Sequence, residues 1–178
     1  ELCTTEEIHL LCLLPTLEAA QALEVAAWEG LVLPPNRPDV FGFQWRMDER
    51  DEVAGSDKRM LIAASALDVE AALRTVARLG GVAVPAHIDR DAYSMTAVLG
   101  TIPPEYGFRT LEVSERALPD MVRAAHPETA DVAFLINSDA HHLWDIAEPA
   151  HAVELATRSI PALLAARRSG IGFLSVSA

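Results

Sequence analysis

Apolar residues in this chain fall in short blocks separated by longer amphipathic stretches. Residues 8–14 are nearly all apolar and predict a buried strand, closed by Pro15. Thr16 then caps a predicted helix over 17–29, with Glu18 and Glu24 on its solvent face and Leu23 and Trp28 on its core face. The stretch 31–39 holds three prolines and reads as a loop. Residues 40–47 read as extended, and 48–57, charged and carrying Gly55, as an exposed excursion. Over 67–79 a stripe of Val69, Leu73, Val76 and Leu79 recurs at helical spacing. Asp68 is its N-cap, and Gly80-Gly81 ends it.

Beyond this helix, residues 82–84, 109–114 and 132–136 predict strands, and 117–125 a helix. Residues 91–99 are compatible with helix. Residues 152–168 contain helical material interrupted at Pro161, and 172–176 are compatible with a last short strand. Short apolar strands alternating with amphipathic helices imply βα units, a parallel sheet and the α/β class. No internal repeat or linker divides the chain, so residues 1–178 are expected to form one domain.

The formal charge of −12 argues against sequence-independent clamping of long nucleic acid, which needs a broad basic surface. It leaves small phosphorylated substrates and nucleotides open, because bound divalent cations can dominate the field within an acidic protein. No apolar stretch is long enough to span a bilayer, so no membrane role is expected. No basic-then-apolar leader opens the sequence as given, and Cys3 and Cys12 make no disulfide framework; a reducing cytoplasm is the expected compartment.

The chemistry-bearing residues lie beside the strand-like blocks. Asp139 and His141 follow the run 132–136, and functional groups of parallel α/β folds collect at the carboxyl ends of strands. Two residues apart on an extended segment, they share a side and could bind one metal ion or two adjacent ones. His87 stands in the same relation to the strand 82–84; taken alone it reads as a hydrogen-bonded structural histidine. Arg90 could hold a phosphate oxygen, against a plain reading as a surface partner of Asp89 or Asp91. Glu1 and His9 are weaker on spacing, and Glu6-Glu7 reads as surface charge. His126, His142 and His151 read as bystanders, with His142 near enough to act behind the ligands. Glu112 is a rim candidate whose expected role is structural.

Four stretches together resemble the PHP (polymerase and histidinol phosphatase) superfamily of metal-dependent phosphoesterases. They are residues 1–12, Pro85-Ala86-His87-Ile88-Asp89-Arg90, Leu99-Gly100-Thr101-Ile102-Pro103 and Asn137-Ser138-Asp139-Ala140-His141, and they cover the chain to about residue 146. The resemblance implies a distorted (β/α)7 TIM-like barrel with up to three divalent ions, zinc, manganese, iron or magnesium. It implies that Glu1 bridges two ions and that His9 and His87 are imidazole ligands of one of them. Asp139 would serve the neighbouring ion and His141 the third. The implied reaction is phosphoester hydrolysis by a metal-bound hydroxide, with Asp139, His141 and Arg90 as the residues expected at the chemistry.

The departure from the family pattern is large. The His-x-His motif, a further early histidine and an Asp-His pair are not present. The chain begins where the third barrel strand would end, so it is expected to be an incomplete barrel, a fragment of a longer product that would be inactive alone. Exposed strand edges would then favour self-association. Two other functions compete: a degenerate, non-catalytic metal-binding or assembly module, and an amidohydrolase-like enzyme acting on C–N bonds. The latter commonly uses a carbamylated lysine, and Lys58, the sole lysine, lies in a charged loop.

Overall fold

The structure is a computed structural model that describes residues 1–114 and 119–171, and the backbone of 174–175. It opens with a tight hairpin: β1 (Leu2–Cys3) pairs antiparallel with β2 (His9–Leu13) in the register Leu2↔Leu10, Cys3↔His9. The turn closes through Thr4, whose N–H donates to the Ile8 carbonyl at 2.9 Å, and Glu7 supplies the left-handed residue at φ 62°. Strand alternation then sorts the side chains. Leu2, Ile8 and Leu10 enter the core, while Cys3 and His9 take the opposite face.

Helix α1 (Leu17–Trp28) follows, and the Thr16 hydroxyl accepts from the Ala19 N–H as the sequence predicts. The proline-rich stretch ends in a single helical turn, α2 (Pro38–Phe41), so Val40 and Phe41 are helical rather than extended. Pro38 fixes the φ of the first turn and brings this about. The expected exposed excursion is a hairpin, β3 (Trp45–Met47) against β4 (Val53–Ser56), closed by Asp48, whose Oδ1 accepts from the Arg50 and Glu52 N–H groups. Helix α3 (Val69–Arg78) carries the Asp68 cap and buries Val69, Ala72, Thr75 and Val76. Gly80, at φ 77°, turns the chain out of the helix. At Gly81 a Cβ would stand 2.6 Å from the Leu13 carbonyl and 2.4 Å from the Leu14 side chain, so β2 and the start of β5 approach this closely only around glycine.

Strand β5 (Val82–Pro85) pairs with β2, and the pairing is antiparallel: Leu10↔Pro85, Leu13↔Val82. This departs from the all-parallel sheet expected of the strand–helix alternation. Both α1 and α3 lie between β2 and β5. Two helical traverses return the chain reversed, whereas a single crossover helix gives parallel strands. Beyond β5 come α4 (Met95–Leu99), capped by Ser94 and confined to the end of the predicted 91–99 helix, and β6 (Thr110–Ser114). Then follow α5 (Pro119–Ala125) and β7 (Ala133–Asn137), which runs parallel to β6 from Thr110↔Ala133 to Ser114↔Asn137. Among the described residues one α-helix, α5, lies between β6 and β7, and here the parallel expectation holds. The first two residues of the predicted 117–125 helix lie outside the described residues.

Strand β8 (His151–Ala152), helix α6 (Ile160–Arg168) and β9 (Leu174–Ser175) complete the chain, with β8 and β9 antiparallel. Pro161 does not interrupt α6. It sits in the first turn, where its missing N–H costs nothing, behind the Ser159 cap. Of the last strand expected over 172–176, residues 172, 173 and 176 lie outside the described residues. The described strands form one three-stranded sheet and three two-stranded ones. The core gathers Leu2, Ile8, Leu10, Val69, Ile88, Met95, Leu111, Val113 and Phe134 between them and the helices. No described helix is long and apolar enough to cross a membrane.

The segment 99–103 is pinned from outside. Glu128 Oε1 accepts from the Thr101 hydroxyl at 2.6 Å and the Ile102 N–H at 3.0 Å, which seats the Ile102 side chain in the core. These bonds, the Thr101 hydroxyl first, hold the Glu128 carboxyl down at about 2. A depressed folded-state pKa contributes stability above the ordinary value of 4.5, and that contribution is lost as pH falls through about 2. Glu128→Gln keeps an acceptor without the titration. It is expected to cost about 1 kcal/mol at neutral pH and to flatten the acid limb of stability below the ordinary carboxylate value. Urea midpoints measured against pH check both.

Candidate metal centre

The hairpin register builds the first half of the site. Cys3 and His9 are cross-strand neighbours, and Glu1, two residues before Cys3, reaches the same face. The second half comes from β5. Because Leu10 pairs with Pro85, the Ala86 N–H donates to the His9 carbonyl at 3.1 Å, and the next residue, His87, lands beside His9.

Three side chains converge there. Glu1 Oε2 lies 3.3 Å from His9 Nδ1, Glu1 Oε1 lies 3.4 Å from His87 Nε2, and the two imidazole nitrogens are 3.3 Å apart. Ligands around a tetrahedral ion with bonds of about 2.05 Å stand about 3.3–3.4 Å from one another. The spacing of this donor set therefore fits a small divalent cation, and among the described residues it is the one such group of three or more donors. His87 is buried and faces the cluster through Nε2, while its other ring nitrogen, Nδ1, has no hydrogen-bond partner among the described residues.

The electrostatics follow from the same contacts. Hydrogen bonds from His87 and then His9 hold the Glu1 carboxyl far below the ordinary carboxylate range. Hydrogen bonding to Cys3 and to Glu1 pushes the His9 imidazole up to about 9. Tyr93 stacks on His9 with ring centroids 4.9 Å apart, and its carbonyl accepts from the His9 N–H at 2.8 Å. The ring of His9 is thus held by an aromatic face and a carboxylate.

Glu112 supports the cluster from below. It is buried on β6, where Oε2 accepts from the His87 backbone N–H at 3.1 Å and Oε1 accepts from Asn137 Nδ2 at 2.5 Å. Burial pushes its carboxyl up. The structural role expected for Glu112 holds, and its second oxygen ties the His87 loop to the end of β7.

The remaining site residues stand on the carboxyl side of the same strands. The chain leaving β5 follows β6: Ile88 N–H donates to the Glu112 carbonyl at 2.9 Å, and Ser114 donates to both Asp89 oxygens, through its N–H at 2.8 Å and its hydroxyl at 2.6 Å. Arg90 is then aimed at the segment after β7, where its Nη1 lies 3.0 Å from Asp139 Oδ2. Its ion-pair partner is therefore Asp139, not the adjacent Asp89 or Asp91. His141 is exposed, and its Nδ1 lies 2.9 Å from the Asp139 carbonyl.

All six residues named from the sequence, Glu1, His9, His87, Arg90, Asp139 and His141, line one cavity of about 620 Å³. Among the described residues Glu1, His9 and His87 bring donor atoms within one coordination sphere; Asp139 and His141 line the same cavity without joining that donor set. The cavity wall also includes Ile62, Asp89, Asp91, Ala92 and Tyr93. The sequence gives no sign of Tyr93, because its placement depends on a left-handed backbone at φ 56°. Among the described non-glycine residues five have such a backbone, and three of them, His87, Tyr93 and Asp139, line this cavity. Strain concentrated in this way is characteristic of functional sites.

The other histidines lie elsewhere. His126 is 3.5 Å from Glu128, and His142 stacks on the exposed Trp144. Lys58 is exposed and is not among the residues lining the cavity. Comparison with protein-family models, with curated proteins and with solved structures gives no match for this chain.

Proposed function

We propose that the protein is a metal-dependent phosphoesterase of the PHP type, acting on a small phosphorylated substrate or nucleotide. The observation that carries the reading is the Glu1–His9–His87 cluster, opening on a cavity that also presents Arg90, Asp139 and His141. Glu1, His9 and His87 would hold one divalent cation, and Asp139 and His141 would contribute to further ones. When bound, such ions supply positive charge to phosphoryl oxygens and acidify a water molecule towards neutrality.

The chain's own residues do the rest. Arg90 offers a guanidinium whose planar donors match phosphate oxygens. Glu112 anchors the His87 backbone and the Tyr93 ring stacks on the His9 imidazole, so the segments that carry both imidazoles are held in place before an ion arrives. The cavity is large enough for a phosphate ester of modest size, and the charge of −12 disfavours a long polyanion. Both cysteines are free, which suits a reducing cytoplasm. The amidohydrolase alternative has no support from Lys58, which stands apart from the ligand set.

The test is direct. After equilibration with manganese or zinc and exhaustive dialysis, the protein is expected to retain at least one ion per chain and, in its full-length form, to hydrolyse p-nitrophenyl phosphate. Asp139→Ala is expected to abolish turnover while leaving the ion at the three-ligand cluster. Ion retention without turnover in the parent protein would favour the non-catalytic metal-binding module. Full activity in Asp139→Ala would remove Asp139 from the reaction.

A further inference from the structure

We propose that Arg90 and Asp139 form an exchange pair that couples cation binding to phosphate binding: a cation that takes the Asp139 carboxylate releases the Arg90 guanidinium to an incoming phosphate. The inference rests on the function proposed above and adds an order of events to it.

The geometry is specific. Arg90 Nη1 and Asp139 Oδ2 are 3.0 Å apart. Both residues line the cavity of about 620 Å³ and also an adjoining one of about 430 Å³, lined in addition by Ser114, Ser138, His141, Trp144 and Asp145. The ion pair is therefore a wall shared by the two spaces. Of the described carboxylates around Arg90, Asp139 is the one within ion-pair distance. Asp89, one of its two neighbours in sequence, is held by the Ser114 N–H and hydroxyl. The His141 imidazole contacts the Asp139 carbonyl rather than neutralising its carboxylate, from which it stands 4.0 Å away.

Paired, the two side chains present no net charge to either ligand. A phosphate approaching Arg90 meets the Asp139 carboxylate beside it, and a cation approaching Asp139 meets the guanidinium. Once one ligand has broken the pair, the other finds its partner released. By linkage, the factor by which a cation tightens phosphate binding through this pair equals the factor by which phosphate tightens cation binding. Asp139 has a left-handed backbone, φ 49°.

Asn is the non-glycine residue that best tolerates this backbone, so Asp139→Asn removes the charge with little strain. The experiment uses the whole chain and inorganic phosphate, followed by equilibrium dialysis in the presence of chelator. Asp139→Asn is expected to bind phosphate about fivefold tighter or more than the parent, and Arg90→Gln combined with it is expected to remove that gain. In the reciprocal arm, Arg90→Gln is expected to bind Mn²⁺ tighter than the parent by a similar factor. Arg90→Lys, which keeps the charge and loses the planar fork, should fall between Arg90→Gln and the parent. Unchanged phosphate affinity in Asp139→Asn, a gain that survives in the double variant, or unchanged Mn²⁺ affinity in Arg90→Gln overturns the exchange pair. Failure of the parent chain to retain Mn²⁺ at all overturns the metal-centre reading instead, and the two failures are told apart by that single measurement.

Discussion

Replacing His9 with alanine is expected to lower both ion retention and phosphoesterase turnover by at least about 100-fold, because ligand geometry around a metal is intolerant of loss. The chain would keep Glu1 and His87 but lose the nitrogen that stands 3.3 Å from each. Two donors from one side leave the cation mostly to water. His9 is only half buried, so the fold should survive the change, with melting close to the parent value in chelator. His142→Ala is the matching control: that imidazole stacks on exposed Trp144 outside the cavity lining and should leave both readouts unchanged. Elemental analysis after dialysis, run beside the activity assay, reads both. Parent-like ion content in His9→Ala would dismiss the three-ligand centre.

The second large effect falls on stability. Glu112→Ala is expected to cost about 3 kcal/mol, since it strands the buried His87 N–H and the half-buried Asn137 amide and opens space on β6. For a chain of this length that corresponds to a melting temperature lower by roughly 6–12 °C. Glu112→Gln preserves the volume but must turn an amide NH2 towards one of the two donors, so it should lie between alanine and the parent. Thermal melts of the three proteins give the order. If Glu112→Gln melts with the parent, the paired acceptor role is wrong. The Glu112→Ala variant should also bind metal less well than its residual fold predicts, because the His87 loop loses its anchor.

The local elements were legible in the sequence where a side chain itself specifies the backbone. Thr16, Asp68 and the turn at Gly80 mark helix ends because a hydroxyl, a carboxylate and a left-handed glycine each satisfy a terminus. Pro161 misled because proline reads as a breaker, although in the first turn it starts a helix. The antiparallel pairing of β2 with β5 was hidden because strand direction depends on how many times the chain crosses between strands, and the 31–62 excursion obscures that count. The site was legible as residue types: all six residues singled out line one cavity. Their grouping was not. Nothing local announces that Arg90 faces Asp139 rather than its neighbours, or that Tyr93 stacks on His9, since both depend on the register of β5, β6 and β7 and on positive φ angles at isolated residues.

The Cys3↔His9 hairpin carries a kinetic consequence. Glu1 and His9 come together within a local turn, but His87 joins them only when a partner 78 residues away pairs with β2. A cation gripping all three thus recognises the finished topology and gains little from a chain in which only the hairpin has formed. Its stabilisation should accordingly appear mainly in a slower unfolding rate, with the refolding rate nearly unchanged.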